Sequence, residues 1–181
     1  ISINNTTINA GSNANQFAFD VCGYAKYTAG VTVTVSGTSV INGKVEISKS
    51  AGNTELMKLN ITSGTFNGDL KVDASVGTEN AQSIISVSGG TFSDPSVLKY
   101  MATNATVDIK LLSNINIAKT ELATGYILNA ANATANLNLN GHDIINSSET
   151  ADATPFTKIF TVQNGTLNIS GNGNVKCDAS A

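Results

Sequence analysis

A pair of apolar residues five positions apart returns along almost the whole chain. The pairs are Ile3/Ile8, Val35/Val40, Ile61/Phe66, Val87/Phe92, Leu112/Ile117, Leu139/Ile144 and Val162/Leu167. Successive pairs begin 32, 26, 26, 25, 27 and 23 residues apart. A unit of that size cannot bury its apolar side alone, and stacking copies of it builds a continuous core. Within the units, apolar and polar residues alternate. Val31, Val33 and Val35 fall on one face and Thr32 and Thr34 on the other, which is the periodicity of a strand. Units of this length with short strands and polar turns are too short for three-layer α/β repeats. The expectation is an all-β chain, a right-handed parallel β-helix of about seven coils forming one domain over 1–181. KVEIS (44–48) and LKVDAS (70–75) read as return strands. The LxxLxLxxN pattern of a leucine-rich repeat is not kept, and a β-sandwich of short strands is the competing all-β arrangement.

The segment ISVSGGTFSDPSVLKY (85–100) shows the unit best. A short strand carries Ile85 and Val87, Gly89 and Gly90 form a hinge, and Phe92 is the second anchor. Asp94 then suits a helix N-cap and Pro95 the first helical position, so a helical turn near 94–102 is predicted to replace the return strand. Val97, Leu98, Tyr100 and Met101 give that turn its apolar side. Gly64, Gly90 and Gly165 each follow the first anchor by three residues and predict a tight corner, although Thr38, Ile115 and His142 stand at the same offset. In TVDIKLLSNINI two registers compete: Ile109 and Leu111 alternate, whereas Leu112/Ile117 keep the spacing better. Phe17, Phe19 and Val21 alternate inside an insertion of the first unit and predict a strand covering one end or one side of the stack.

Composition narrows the partners. Charged residues are 13% of the chain, against roughly 25% in an average soluble protein. Arginine and tryptophan are absent, and Asn, Ser, Thr and Gly carry the polarity. Ten scattered lysines in a chain of net charge −3 offer no basic stripe, which argues against nucleic acid. No apolar run approaches the ~18 residues that span a bilayer as a helix, so no membrane insertion is expected. Cys22 and Cys177 lie about six coils apart, near 29 Å at the spacing of stacked strands. A disulfide needs Cα atoms within about 7 Å, so two separate thiols are expected, Cys177 packed inward beside Val175. Ile1 already falls inside a repeat, and further coils of a longer parent chain or other subunits of a particle are expected against the ends.

Candidate chemistry is sparse. Polysaccharide-cleaving sites need paired carboxylates, or an acidic metal site with a proton-abstracting base. The acids here are dispersed, with Asp69 and Asp73 flanking one return strand. Asp108 near Lys110, and the neighbours His142 and Asp143, are the weak catalytic candidates if stacking brings them together. The single histidine has no CxxC or HxxxH companion, so neither metal nor cofactor is expected. Tyr24 and Tyr27 are the candidates for a sugar-stacking platform, against the plainer role of covering a core edge.

SGGTFSDPSVLKY resembles the recurring SGGTFS-DPS segment of gut-bacterial surface proteins and of phage structural proteins of the head-fibre and tail-fibre type. The order IKLLSNINI, ANLNLNGHDI, FTVQNGTLNISGNG is similar to the same proteins' series of LL, LDLNGHTI and FTVNGGTLTI-GNG motifs, over roughly 31–181. Asp143 stands where that family more often has Thr. The resemblance implies a right-handed β-helix of pectate-lyase-like architecture, usually without demonstrated catalysis. The function expected is therefore a non-enzymatic structural or adhesive module on a phage particle or bacterial cell surface. It would act outside the cell as a rigid spacer or a surface that contacts glycans. The alternative is a polysaccharide-processing lyase or hydrolase.

Overall fold

The structure is a computed structural model that describes residues 1–11, 16–24, 29–77, 84–117, 125–147 and 158–178. Its first strands are β1 (Ser2–Asn4), β2 (Thr7–Asn9), β3 (Phe17–Gly23), β4 (Val31–Ser36), β5 (Val40–Asn42) and β6 (Lys44–Lys49). They are followed by β7 (Met57–Ile61), β8 (Thr65–Asn67), β9 (Leu70–Val72), β10 (Ile85–Val87) and β11 (Thr91–Phe92). The remaining strands are β12 (Thr106–Lys110), β13 (Ile115–Ile117), β14 (Tyr126–Asn138), β15 (Ile144–Ser147), β16 (Phe160–Ser170) and β17 (Val175–Asp178). Short 3₁₀ turns occupy Ala74–Val76 and Pro95–Tyr100.

The strands build four sheets, in the orders β1-β4-β7-β10, β2-β5-β8-β11-β12-β14-β16, β3-β6-β9 and β13-β15-β17. Every neighbouring pair is parallel. Partners are not consecutive in the chain, because each level contributes one strand to each of two or three sheets before the next level begins. All-parallel pairing excludes an antiparallel sandwich. The insertion strand β3 lies in register on β6 and so flanks the stack as part of the third sheet.

Register is set by the inward residues. In the first sheet Ile3, Val35, Ile61 and Val87 stand in register, with Val35, Ile61 and Val87 fully buried. A parallel bridge continues this row from Val87 to Met101. The seven-stranded sheet holds a second row, Ile8, Ile41, Phe66, Phe92, Ile109, Leu137 and Ile169. Phe66 and Phe92 stack there with centroids 5.1 Å apart. Each interior Val, Ile or Phe contributes about 1.5–3 kcal/mol by leaving water.

Beyond Phe92 the five-residue spacing misplaces the rows. Leu112 is 56% exposed, whereas Ile109 is buried and sits on Phe92, so the alternating register of TVDIK is the one adopted. Val162 pairs with Leu128, Leu167 with Ala135, and Ile144 with Ile115 and Val175. Leu139 is buried, but in the corner after β14. Ile41, not Val40, is the inward member of β5.

The cause of the shift is one shortened level. Only 17 residues separate Phe92 from its partner Ile109, against 26 between Phe66 and Phe92. The predicted helical turn makes that shortening. Asp94 Oδ1 accepts from Ser96 N at 2.7 Å, Pro95 fills the first position, and Val97, Leu98, Tyr100 and Met101 are buried. Ser96 Oγ accepts from Leu70 N at 3.0 Å, so the turn docks on β9 where another strand of the third sheet would have added.

The corner glycines behave as the spacing predicts, with φ of +115° at Gly64, +126° at Gly90 and +104° at Gly165. At Gly90 a Cβ would also lie 3.1 Å from Gly64 O and 3.2 Å from the Phe92 ring, so stacked corners leave no room for a side chain. Cys22 and Cys177 are both free and exposed. Cys177 is not packed inward: it shares a face with Val175, but β17 is the last strand of its sheet and no described strand lies over it.

Candidate functional site

The outward faces of successive levels are joined by side-chain ladders, and the candidate acids belong to them. Asp108 projects outward from β12, and its Oδ1 accepts from Asn136 Nδ2 at 3.0 Å. Asn136 Oδ1 in turn accepts from Asn168 Nδ2 at 2.9 Å. A second ladder runs from Asn67 Nδ2 to Asn42 Oδ1 and from Asn42 Nδ2 to Asn9 Oδ1, each at 2.7 Å. Asp143 ties a corner: its Oδ1 accepts from Asn174 N at 2.7 Å and Nδ2 at 3.0 Å, while its own N–H donates to Asn114 Oδ1 at 3.0 Å. His142 is half-buried in the turn before β15, its N–H donating to Leu139 O at 2.8 Å. Asp108 lies on a sheet face and His142–Asp143 at a corner, and among the described residues no hydrogen bond or ion pair joins them.

Tyr24 is exposed, and its carbonyl accepts from Asn53 Nδ2 at 3.0 Å. It borders a cleft of about 40 Å³ with Cys22, Asn53 and Met57. Tyr27 lies outside the described residues.

A large concavity arises from the shortened level. Where the 3₁₀ turn replaces a strand of the third sheet, a groove of about 790 Å³ opens between β9 and β13. Asp69, Asp94, Lys71, Lys99, Leu112 and Tyr126 are among its walls. Burial raises the Asp94 carboxyl above the usual carboxylate range, against the hydrogen bonding from Ser96 that lowers it, and neighbouring Asp69 adds to the rise. Loss of solvent lowers the Lys99 ammonium, against the attraction of Asp94 and Asp69. Lys99 Nζ lies 4.9 Å from the centroid of the Tyr100 ring, a cation–π contact. Burial beneath pushes the Tyr100 hydroxyl well above the usual phenol range, against the Val72 backbone that lowers it, and no hydrogen bond of good geometry reaches it. Asp94, with its carboxyl raised, and the exposed Lys99, with its ammonium lowered, thus line the same groove.

On the rim, Lys71 Nζ meets Glu46 Oε2 at 3.4 Å, across the in-register pair of β6 and β9, and Asp73 Oδ2 at 3.7 Å. Such exposed pairs contribute at most about 1 kcal/mol. Among the described residues no group of three or more His, Cys, Asp or Glu is placed to hold a metal ion. The sequence shows Asp94 as a cap and Asp69 as a strand flank, and its one signal for the groove is the Asp-Pro helix start that interrupts the strand pattern. Compared with protein-family models, curated proteins and solved structures, the chain matches none.

Proposed function

We propose that the chain is a right-handed parallel β-helix of about seven coils whose work is structural: a rigid spacer or adhesive module on a phage particle or bacterial cell surface. The observation that carries this reading is how the outward polar side chains are used. Asn9, Asn42 and Asn67, then Asp108, Asn136 and Asn168, then Asp143 and Asn174, bond from level to level and stiffen the stack. The catalytic candidates Asp108 and Asp143 are thereby occupied as rungs. The resemblance of SGGTFSDPSVLKY and NLNGHDI to β-helix proteins of virions and gut-bacterial surfaces supports the extracellular setting. The partners in this reading are further coils or subunits at the ends, with surface glycans on the flanks. The test is incubation of the purified chain with pectin- and capsule-type glycans, followed by chromatography of the products. Unchanged chain length of every glycan is expected, and alanine at Asp108, His142 or Asp143 changes nothing. Depolymerisation that disappears in one of these variants overturns the reading.

A second reading, polysaccharide processing, is favoured by the groove, where Asp94 and Asp69 face Lys99. In that case depolymerisation is lost on Asp94→Asn and retained on Asp108→Ala.

A further inference from the structure

The groove beside the second 3₁₀ turn is the place of one missing strand. β9 and β13 follow β8 and β12 in the chain, and in the seven-stranded sheet only β11 separates β8 from β12. β9 and β13 therefore stand two strand spacings apart, about 9.6 Å, each an edge strand of its own sheet. All three residues of β9 and all three of β13 line the space between them. It thus runs along the strands as a slot one chain wide. Its volume of about 790 Å³ lies within the roughly 300–1,000 Å³ of ligand pockets.

The lining differs from the rest of the outer surface. Elsewhere the outward amides bond from level to level. Here the Asn9–Asn42–Asn67 ladder stops: Asn67 donates to Asn42, and among the described residues its own Oδ1 accepts nothing. On the facing wall the side chains of Ser113 and Asn116 likewise have no partner among the described residues. Beside them Leu112 presents an exposed apolar side chain. Charge is balanced. Lys71 is held by Glu46 and Asp73, which leaves Lys44 and Lys99 against Asp69 and Asp94. A polyanion finds no net attraction in such a lining. An added peptide strand would bind through main-chain groups, but the Leu70 N–H of β9 is already given to Ser96 Oγ at 3.0 Å. The slot instead offers side-chain donors and acceptors with one apolar contact, which suits an elongated, uncharged ligand rich in hydroxyls.

We propose that this slot binds a neutral linear glycan, laid along β9 and β13 with its hydroxyls on Asn67, Asp69, Lys99 and Asn116 and a sugar C–H face on Leu112. This rests on the reading of the chain as an adhesive module and supplies that module's contact.

The experiment is isothermal titration calorimetry of the full chain with cellohexaose, xylohexaose and mannohexaose, and with hexagalacturonate as the charged comparison. At least one neutral hexasaccharide is expected to bind with a Kd of about 1 mM or tighter, and hexagalacturonate about tenfold more weakly. Leu112→Ala and Asn116→Ala, both at exposed side chains, should each weaken binding about tenfold. Thr106→Ala, on the outer face of β12, should leave it unchanged. If circular dichroism shows one wall variant unfolded, the other carries the test. Binding that the wall variants leave unchanged overturns the slot while the adhesive reading stands, its contact lying elsewhere on the flanks. Tighter binding of hexagalacturonate overturns the neutral class. Absence of binding by all three neutral hexasaccharides at millimolar concentration overturns the inference and leaves the chain a spacer. Shortening of a bound hexasaccharide, read by chromatography after the titration, supports the slot and replaces the adhesive reading with the processing one.

Discussion

Replacing Ile109 by alanine, and separately Leu112, sets the two registers of the fifth unit against each other. Ile109 is 1% exposed and lies between Phe92 and Leu137, themselves buried, whereas Leu112 is 56% exposed on the wall of the groove. Ile→Ala removes three side-chain carbons, worth about 0.8 kcal/mol each in transfer free energy, or near 2.4 kcal/mol together. The cavity left between two in-register neighbours adds to that and brings the expected loss to about 3–4 kcal/mol. Against a total stability of about 5–15 kcal/mol this is a large fraction. Leu112→Ala should lie within about 0.5 kcal/mol of wild type. Urea denaturation followed by circular dichroism reads both, with the comparison made at equal m-value so that the midpoints report stability. A Leu112→Ala loss equal to or larger than that of Ile109→Ala would refute the reasoning, because it would place the five-residue spacing, not the alternation of TVDIK, on the core.

Three further outcomes are expected. Tyr100→Phe removes a buried hydroxyl that makes no hydrogen bond of good geometry and should raise stability by about 1 kcal/mol; a loss of that size in thermal melts would show that the Val72 backbone satisfies the hydroxyl. Asp94→Asn keeps the cap on Ser96 and removes a carboxyl whose pKa is raised in the folded state, whereas Asp94→Ala loses the cap and about 0.5–2 kcal/mol. A raised carboxyl binds its proton more tightly when folded, so the wild type should lose stability relative to Asp94→Asn as pH rises from its unfolded value of 3.8 through the folded one. A wild type that gains stability relative to Asp94→Asn over that range would contradict the sign. Cys22 and Cys177 should both react with a thiol reagent in the native chain, and reductant should leave the melting temperature unchanged; a shift on reduction would reveal a bridge.

Where the repeat is regular, pattern and structure coincide. From Ile3 to Val87 the spacing gives the first inward row, because consecutive levels are equivalent and period-two alternation fixes which face is buried. The turn at Pro95–Tyr100 is equally legible, since Asp94 and Pro95 are local signals that need no distant partner. The spacing fails at Leu112 because a level that trades a strand for a turn is shorter, and a rule built on constant period cannot register the loss. Alternation within TVDIK survives it, being a property of one strand alone. The groove was invisible for the same reason. Asp69 and Asp94 belong to different levels, and they face one space only because the third sheet stops after β9. Cys177 shows the converse case: its inward face is legible, but its exposure depends on what lies over the last strand.

The parallel, level-on-level arrangement itself is tested most directly by thiol cross-linking between β12 and β14. Thr106 pairs with Thr134 and Lys110 with Asn138, about 4.8 Å apart across neighbouring strands. In a chain with Cys22 and Cys177 changed to serine, Thr106→Cys/Thr134→Cys and Lys110→Cys/Asn138→Cys should both join rapidly through a methane-bridged bis-thiosulfonate. The crossed pair Thr106→Cys/Asn138→Cys is offset by four residues, about 13 Å along the strand, and should stay open. Antiparallel pairing about Asp108 and Asn136 would bring that crossed pair together instead. Fast closure of Thr106→Cys/Asn138→Cys with slow closure of the in-register pairs would contradict the account.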